Sequence, residues 1–503
     1  MEISQKGDLP ARGNVYFVGI KGTGMCALAE LLHNTGFRVS GSDRDEVFYT
    51  DAILKELGIP YRESFDTAHL GKNTDLVIYS AAYSPETNPE LREAEKRGIP
   101  LLKYPEALGA YSARFDASGI AGVHGKTTTA ALAGTLIRGA GLPAQVLAGS
   151  AVSGFGGRST LNLGNKYFVA ETCEYRKHFL SFHPRRIVLT SVESDHQDYF
   201  PTYGSIREAF LEYTAKLPPG GELIYCADDP GAAELALTAG NRAAGEGRPV
   251  ILTPYGFTAS GPFRIDDCRV EGERQIFNVA LFPGELRLRV PGRHAVLDAV
   301  AALALTNSLM ASEYGDAGPD GGSTADGWTA EKRERVCCAL EEFRGSKRRS
   351  EIVGERNGIL FMDDYGHHPT AIKTTLAGLR EFYPDRRIVV SFMSHTYTRT
   401  AALLDEFAAS FEKADIVFLH KIYASAREIN TEKINGRTLY EKVLEKRDKV
   451  YYTEEPEDAA NELDAILRPG DLFITIGAGD NWKLGKKLFD FYRQTGLPAR
   501  GNN

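Results

Sequence analysis

The chain has 503 residues, of which 43% are hydrophobic and 25% are charged, and its formal net charge is −8 at pH 7. These values are ordinary for a globular protein of roughly two to four domains, and the negative charge argues against a general nucleic-acid or anionic-membrane binder. The six cysteines show no CxxC pairing, the N-terminal residues lack the apolar core of a signal peptide, and no apolar run reaches membrane-spanning length. We therefore expect a cytoplasmic protein with reduced thiols.

The first block of the chain alternates strands and helices with short loops, which is typical of a doubly wound parallel sheet. An apolar strand at 15–19 precedes Gly22-x-Gly24, and a helical pattern begins at Met25. A glycine turn at this position favours a diphosphate held at the helix N-terminus. Asp43, about 20 residues further on, ends the next strand, where such folds hydrogen-bond a ribose or base. A tight turn without a ligand is the alternative, because the spacing is not the dinucleotide G-x-G-x-x-G.

The most informative motif is the run Gly122–Thr129, which reads GVHGKTTT. It follows an apolar segment and opens an alanine-rich helical stretch at 130–140. Glycines let phosphate oxygens approach the backbone, and a helix N-terminus adds N–H groups and the positive end of a dipole. Lys126 can reach the terminal phosphates, and the Thr127 hydroxyl can bind Mg²⁺. The loop is shorter than the usual G-x-x-x-x-G-K-[ST], but its place between strand and helix predicts a nucleoside-triphosphate site.

Polar side chains follow two later strands of this second block, at the edge where open parallel sheets bind their ligands. Glu171–Glu174 follows a strand at 167–170, and Ser194–Asp198 follows a strand at 186–190. Carboxylate and imidazole groups there can hold Mg²⁺ between phosphate and acceptor. A salt bridge or helix cap is the alternative for any one of these residues. The predicted metal ligands are Thr127, Glu174 and His196.

A third block follows a segment at about 315–327 that is rich in Gly, Asp, Ser and Thr and is predicted to be a flexible insertion. In this block Asp363–Pro369 and Ser394–Thr400 each follow a strand. An arginine at a strand end suits bidentate binding of a small carboxylate, which makes Arg399 a candidate, with an exposed salt bridge as the alternative. Zinc at the two adjacent histidines is disfavoured, since no third ligand at zinc spacing accompanies them.

The three blocks predict an α/β protein of three consecutive parallel-sheet domains. The predicted boundaries are 1–114, 115–342 and 343–503. Two phosphate-binding glycine loops on one chain suggest a triphosphate and a second, nucleotide-linked substrate.

Short motifs along nearly the whole chain also have the order of a known family. They are VGIKGTGM at 18–25, SGSD at 40–43, GVHGKTTT at 122–129, ESDHQDYF at 193–200, PGRH at 291–294, RRSE at 348–351, DDYGHHPT at 363–370, HTYTRT at 395–400 and GAGD at 477–480. DDYGHHP and HTYTRT are highly specific, whereas the glycine loops are not. On these motifs the chain resembles the Mur ligases, in their alanine-adding branch.

The resemblance implies a Rossmann-like N-terminal domain that holds a UDP-sugar, a central P-loop ATPase domain, and a Rossmann-like C-terminal domain that closes over an amino acid. The implied reaction activates the lactyl carboxylate of UDP-N-acetylmuramate with the ATP γ-phosphate, after which the amine of L-alanine attacks the acyl phosphate. This is a cytoplasmic step of peptidoglycan precursor synthesis with Mg²⁺ as cofactor. The expected partners are UDP-N-acetylmuramate, L-alanine and ATP, with no nucleic acid and no membrane, and we expect a monomer or weak homodimer.

Carried over residue by residue, the resemblance implies three sets of site residues. The implied UDP-sugar-binding residues are Gly22, Thr23, Gly24, Met25, Asp43 and Ser80. The implied ATP-binding residues are Gly122, Val123, His124, Gly125, Lys126, Thr127, Thr128, His294, Arg349 and Asp364. The implied catalytic residues are Lys126, Glu174, His196, His367 and Arg399, of which the last two line the alanine pocket.

Some positions depart from the family's common pattern. Lys21 replaces a glycine of the G-I-G-G loop, where a cation would either clash with the diphosphate or attract it. Ala295 and Asp298 stand where the family often has an asparagine near the adenine.

Three rival functions stay open: a ligase that attaches a tripeptide to the same nucleotide sugar in muropeptide recycling, a P-loop ATPase without amide chemistry, and a catalytically inactive binding homologue. Selectivity among alanine, glycine and serine is open as well.

Overall fold

The computed structural model describes residues 9–10, 12–315, 327–424, 428 and 433–495, so most of the predicted insertion lies outside the described residues. The chain divides into two compact units, each described by itself below. The first comprises the described parts of Met1–Glu193, Ile206–Phe263 and Ala301–Val336. The second comprises the described parts of Ser194–Ser205, Arg264–Val300 and Cys337–Asn503.

The N-terminal part of the first unit forms a parallel sheet flanked by helices. Its elements are β1 (Asn14–Val18), α1 (Thr23–Asn34), β2 (Arg38–Ser42), α2 (Thr50–Glu56), β3 (Tyr61–Arg62), β4 (Leu76–Tyr79), α3 (Pro89–Lys96), β5 (Leu101–Lys103) and α4 (Tyr104–Ser112). The strand order is β3-β2-β1-β4-β5, and neighbouring strands are parallel. The order reverses direction between β1 and β4, and open parallel sheets bind ligands at such a switch point.

A second sheet of the same unit follows along the chain. Its elements are β6 (Asp116–Ala121), α5 (Lys126–Ala140), β7 (Ala144–Val152), β8 (Arg158–Asn162), β9 (Tyr167–Glu171), β10 (Arg186–Leu189), α6 (Tyr203–Thr214), β11 (Glu222–Cys226), α7 (Pro230–Gly245) and β12 (Ile251–Tyr255). The strand order is β12-β11-β10-β6-β9-β7-β8. All its neighbouring strands are parallel except β8, which pairs antiparallel with β7 at the edge.

The remaining elements follow in chain order. They are β13 (Ile265–Val270), β14 (Gln275–Val279), β15 (Phe282–Leu288), α8 (Arg293–Tyr314), α9 (Ala330–Glu342), β16 (Glu351–Arg356), β17 (Ile359–Asp364), α10 (Pro369–Phe382), β18 (Arg387–Phe392), α11 (Tyr397–Ala402), α12 (Leu404–Ala409), β19 (Ile416–Leu419), α13 (Gly436–Leu444), β20 (Val450–Tyr452), α14 (Ala460–Ile466), β21 (Asp471–Ile476) and α15 (Trp482–Thr495). In the second unit, β13-β14-β15 form an antiparallel sheet, and a larger sheet has the order β16-β17-β21-β18-β19-β20.

The predicted α/β class is confirmed and the N-terminal sheet is parallel, but each of the two larger sheets has one antiparallel edge strand, and a fourth sheet is antiparallel. β16 is antiparallel to β17, and the sheet β13-β14-β15 was not predicted. The sequences of β13 (IDDCRV) and β16 (EIVGER) are polar and largely exposed, so they lack the continuous apolar runs that mark buried parallel strands. The domain boundaries at 114/115 and 342/343 stay a prediction.

The core of the second unit lies on both faces of its larger sheet. Along β17, Leu360 and Met362 pack into one buried cluster, and Ile359 and Phe361 pack into another. This follows from the strand period of two, because successive side chains point to opposite faces. A strand buried on both faces has its carboxyl end fixed in position, and the polar residues that follow β17, β18 and β21 are therefore held close to the sheet.

One helix of the described chain, α8, is long and apolar enough to cross a membrane by its length and composition, so the expectation that no apolar run reaches membrane-spanning length is wrong. However, 72% of its most apolar stretch is buried inside the protein. This is the burial of a core helix, which a globular protein of this size requires.

His420 is a buried histidine of the second unit that lies directly after β19. It is 1% exposed, its Nε2 lies 2.8 Å from Ser391 Oγ, and its Nδ1 lies 3.0 Å from Thr453 Oγ1. Burial penalises the charged imidazolium and lowers the pKa of His420 to about 4. The ring is therefore uncharged at neutral pH.

We expect the stability of the protein to fall as the pH is lowered through the titration range of His420. Since its folded pKa lies below its unfolded value, the unfolded chain binds more protons between pH 6.5 and pH 4, and acid favours unfolding there. This group alone should cost about 2 kcal/mol of unfolding free energy between pH 7.5 and pH 5. Urea unfolding at a series of pH values measures the effect. His420→Asn should reduce the dependence of the unfolding free energy on pH. If this dependence were the same in the variant and in the wild type, the lowered pKa of His420 would not be its cause.

Candidate active site

The phosphate loop joins β6 to α5 in the first unit and lies against the end of β10. Gly122 has a φ of 136°, and a Cβ there would lie 2.1 Å from Thr190 Oγ1. Only glycine allows this approach. The Val123 amide donates to Ser191 O at 3.1 Å, and the His124 amide donates to Ser191 Oγ at 2.9 Å. These contacts fix the loop before the helix begins.

Lys126 is the first residue of α5 and follows Gly125, whose φ is 81°. Its Nζ donates to the carbonyl oxygens of Gly122 and Val123, the latter at 3.3 Å, and to Glu174 Oε2 at 2.9 Å. Burial opposes the charged form, but the neighbouring acidic groups, Glu174 foremost and then others that include Glu171, together outweigh it and raise the pKa of Lys126 above its ordinary value. The ammonium group is therefore held, protonated, among oxygen atoms at a helix N-terminus.

Thr127 and Glu171 form a second polar pair beside Lys126. The Thr127 hydroxyl donates to Glu171 Oε2 at 2.8 Å. A Cβ on Gly149 of β7 would lie 2.1 Å from the same carboxylate oxygen, so the strand carries glycine there. Glu171 ends β9, the strand beside β6, and was not among the predicted site residues. It belongs, however, to the polar segment Glu171–Glu174 that the sequence singled out at the carboxyl end of this strand.

His124 and Thr128 complete the predicted loop residues in the first unit. His124 Nε2 lies 2.7 Å from Glu193 Oε1, and Thr190 Oγ1 donates to His124 O at 2.5 Å. Thr128 is half-buried in the first turn of α5. The predicted ATP-binding residues that belong to the second unit are His294, Arg349 and Asp364.

The residues predicted to bind a UDP-sugar lie at the carboxyl edge of the N-terminal sheet. Gly22 directly precedes α1, which begins at Thr23, and Met25 in its first turn is buried. Ser80 follows β4, and its Oγ accepts from the Ala82 amide at 3.3 Å. The glycine loop and Ser80 thus follow β1 and β4, the two strands at the switch point of this sheet.

Asp43 is buried, and protein donors contact its carboxylate. Oδ2 accepts from the Lys21 amide at 2.7 Å, and Oδ1 accepts from the Arg44 amide at 2.8 Å and from the Tyr83 hydroxyl at 3.2 Å. Asp43 therefore connects the loops that follow β1, β2 and β4. Its predicted contact with a ribose or base stays a prediction.

A cavity of about 190 Å³ joins the two parts of the first unit. It lies between the starts of α1 and α4 and the strands β7 and β9. Residues that line it include Thr23, Gly24, Tyr104, Gly149, Glu171 and Cys173. The start of the first glycine-loop helix and the Glu171 carboxylate beside the phosphate loop therefore face one shared space.

In the second unit, Arg399 is buried and binds a protein carboxylate. Its Nε and Nη2 donate to Asp195 Oδ1 at 3.0 and 2.7 Å, and its Nη1 donates to His395 O at 3.3 Å. Burial opposes the charged carboxylate, but the Arg399 guanidinium holds the pKa of Asp195 well below its ordinary value. Asp195 was not among the predicted site residues, although it belongs to the polar segment after β10 that the sequence singled out.

Three histidines, His196, His367 and His395, lie close to this ion pair. The His196 amide donates to Asp195 Oδ1 at 2.7 Å, and the ring centroids of His367 and His395 are 5.7 Å apart. Burial, and then the Arg399 charge, lowers the pKa of His367 well below its ordinary value and that of His395 to about 4. Both rings are uncharged at neutral pH. Thr127 and Glu174, the other two predicted metal ligands, belong to the first unit.

Asp364 ends β17 and connects two loops of the second unit. Its carboxylate accepts from the Ser350 amide at 2.7 Å and from the Gly366 amide at 2.6 Å. The guanidinium of Arg349 lies 5.0 Å from the centroid of the Tyr365 ring. The predicted ATP-binding roles of Asp364 and Arg349 stay predictions.

Comparison with known proteins places the chain in a family. The Mur ligase catalytic domain matches residues 14–116, the Mur ligase middle domain matches residues 120–306, and the Mur ligase glutamate ligase domain matches residues 348–479. The chain belongs to the Mur ligase family. This confirms the family predicted from the order of the short motifs.

Curated Mur ligases match this chain over nearly its whole length. The UDP-N-acetylmuramate–L-alanine ligase of Treponema pallidum is 51% identical over 481 residues, which are 95% of this chain and 97% of that protein. The ligase of the same name from Borreliella burgdorferi is 38% identical over 95% of this chain and 99% of its own. The crystal structure of UDP-N-acetylmuramate–alanine ligase from Thermotoga maritima superimposes with a TM-score of 0.74 at 24% identity, covering 96% of this chain and all of that one, and shows the same fold.

We predict that the charges of Asp195 and Arg399 are strongly coupled in this Mur ligase. Each side chain is 5% exposed, so removing one charge leaves the other buried and unpaired. Asp195→Asn should lower the free energy of unfolding by roughly 3–5 kcal/mol. Arg399→Met should cost a similar amount, and the double variant should cost less than the sum of the two.

A double-mutant cycle in denaturant unfolding measures this coupling, which should reach at least about 1.5 kcal/mol. The exposed pair Lys486–Asp490 of the same unit is the matched control and should give less than about 1 kcal/mol. If the double variant lost as much unfolding free energy as the Asp195 and Arg399 single variants together, the two charges would be independent.

Proposed function

We propose that this protein is an ATP-dependent ligase that joins L-alanine to UDP-N-acetylmuramate through an acyl phosphate, in a cytoplasmic step of peptidoglycan precursor synthesis. The observation that carries the proposal is the 51% identity, over 95% of the chain, to a UDP-N-acetylmuramate–L-alanine ligase. The geometry of the phosphate loop supports it, and so does that of the Arg399 cluster, by which we mean Arg399, Asp195, His367 and His395.

The first half of the reaction suits the phosphate loop. A carboxylate is a poor electrophile, and phosphorylation supplies it with a leaving group. Phosphoryl transfer depends mainly on positioning and on stabilising charge on the transferred group. The Lys126 ammonium and the amides at the start of α5 provide positive charge at one point, and Glu174 holds Lys126 there at 2.9 Å. We propose that ATP takes the place of part of this internal pairing when it binds.

The donor set beside the loop fits Mg²⁺. Thr127 offers a hydroxyl oxygen, and Glu171 and Glu174 offer carboxylate oxygens, which are the hard ligands that Mg²⁺ prefers. Bound there, Mg²⁺ would neutralise charge on the β- and γ-phosphates. We propose Thr127 and Glu174 as ligands and add Glu171, because its carboxylate lies 2.8 Å from the Thr127 hydroxyl. His196 belongs to the other unit and is proposed as a ligand from the sequence alone.

The second half of the reaction suits the Arg399 cluster. Arg399 uses Nε and one N–H of Nη2 for Asp195 and one N–H of Nη1 for the carbonyl oxygen of His395, which leaves two of the five N–H donors of a guanidinium. We propose that Asp195 sets the orientation of Arg399 and that its other donors bind the α-carboxylate of L-alanine. Because His367 and His395 are uncharged at neutral pH, they add no positive charge that would repel the amino group of the substrate.

The proposed function predicts that phosphate release from ATP requires both UDP-N-acetylmuramate and L-alanine. Lys126→Met should lower kcat by at least about 100-fold in a folded protein, because a cation that stabilises the transferred phosphoryl group is lost. Lys166→Met, which removes an exposed lysine paired with Glu313 in the same unit, is the matched control and should keep wild-type turnover.

Phosphate release is measured with each substrate left out in turn. Release from ATP alone would indicate an autonomous ATPase. Glycine, serine and a tripeptide replace L-alanine in parallel assays, and a clear preference for the tripeptide would assign the protein to muropeptide recycling instead.

A further inference from the structure

Lys21, the cation that replaces a glycine of the first glycine loop, has a completely buried side chain. Its Nζ donates to Glu63 Oε1 at 2.6 Å and to the carbonyl oxygen of Glu46 at 2.9 Å, and it lies 3.3 Å from Asp51 Oδ1. Burial opposes the charged form, but Glu63 and Asp51 outweigh it and raise the pKa of Lys21. Protein oxygen atoms therefore bind the ammonium group. This differs from both sequence alternatives, in which the cation either clashes with the diphosphate or attracts it.

The backbone of Lys21 makes two further contacts with the segment that joins β2 to α2. Its amide donates to Asp43 Oδ2 at 2.7 Å, and its carbonyl oxygen accepts from the Thr50 hydroxyl at 2.6 Å. Together with the side-chain contact to the Glu46 carbonyl, this one residue holds the start, the middle and the end of the segment 43–50.

The segment 43–50 presents apolar side chains at the carboxyl edge of the N-terminal sheet. Val47 is 98% exposed and Tyr49 is 44% exposed. An open parallel sheet binds nucleotides at this edge, between the loop after its first strand and the end of the next. Exposed apolar side chains at a ligand-binding edge are suited to cover the flat faces of a base.

We propose that Lys21 is a positioning residue that fixes the segment 43–50 beside the glycine loop, so that this segment contacts the uridine nucleotide of the substrate. The inference rests on the proposed function, from which the nucleotide is taken. A loop that is already fixed loses less conformational entropy when the ligand binds, and this favours affinity. Lys21 itself does not touch the reacting groups.

Lys21→Met tests the inference, because methionine has a similar length but no ammonium group. The Kd for UDP, measured by calorimetry, and the KM for UDP-N-acetylmuramate should each rise at least about tenfold. The KM values for ATP and L-alanine, and kcat, should stay within about twofold of wild type, since the phosphate loop is intact. Lys21→Arg keeps the charge and should recover part of the UDP affinity.

Arg158→Met is the matched control. Arg158 is another partly buried cation of the first unit with two carboxylate partners, Glu30 and Glu56, the latter at 2.7 Å. Its loss should lower the thermal stability, as is expected of Lys21→Met, but it should leave the Kd for UDP unchanged. A similar rise in Kd in both variants would mean that UDP binding only follows overall stability, and this would overturn the inference.

A folded Lys21→Met protein with a Kd for UDP within twofold of wild type would also overturn it. If Lys21→Met does not fold, Glu63→Gln tests the inference in its place. Glu63 is half exposed, and its substitution by glutamine leaves the core filled. It should raise the Kd about threefold, and an unchanged Kd would count against the inference. A wild-type protein that binds UDP in a Lys21-dependent way but forms no amide would contradict the proposed function alone.

Discussion

A partly buried ammonium group needs several oxygen partners, and the phosphate loop of this protein provides them for Lys126. Lys126 opens α5, and the carbonyl oxygens of Gly122 and Val123 together with Glu174 surround its Nζ. The loop can supply these carbonyls only because Gly122 adopts a positive φ where a Cβ would collide with Thr190. The position of the Lys126 ammonium group therefore depends on the conformation of the loop. The proposed phosphoryl transfer depends on both.

The two glycine loops of the first unit use a lysine in different ways. Lys126 is held at the edge of its loop by a carboxylate that a ligand can compete with, whereas Lys21 is enclosed by Glu63, Asp51 and backbone oxygens. A cation that is completely buried cannot exchange its partners without a large desolvation cost. Lys21 is thus suited to hold protein segments in place, and Lys126 is suited to meet a charged substrate.

In the second unit one ion pair organises a group of titratable side chains. Asp195 accepts two donors of Arg399 and the amide of His196, and the Arg399 charge helps to keep His367 and His395 neutral. The site therefore carries the strongly positive guanidinium of Arg399, which Asp195 holds in one orientation. Such a group can distinguish a carboxylate from an amine on the same small molecule, which is the discrimination that an amino-acid ligase requires.

The sequence by itself determined the features that depend on neighbouring residues. The phosphate loop, the buried strands on either side of it and the order of the family motifs are local patterns, because glycine torsions, helix starts and apolar runs are set within a few residues. For the same reason the α/β class and the family were predicted correctly. The polar strands β13 and β16 were missed, since their exposed residues leave no comparable pattern.

Only the tertiary structure decided which charges meet. Asp43 contacts Lys21 and Tyr83, Glu171 contacts Thr127, and Arg399 contacts Asp195, which is 204 positions away in the chain. A carboxylate at the end of a strand is equally compatible with a metal, a ribose or a protein cation until its neighbours are known. Which of these partners a carboxylate binds depends on which loops the strand order brings to the same edge of the sheet. It also depends on the free-energy cost of burying a charge without a partner.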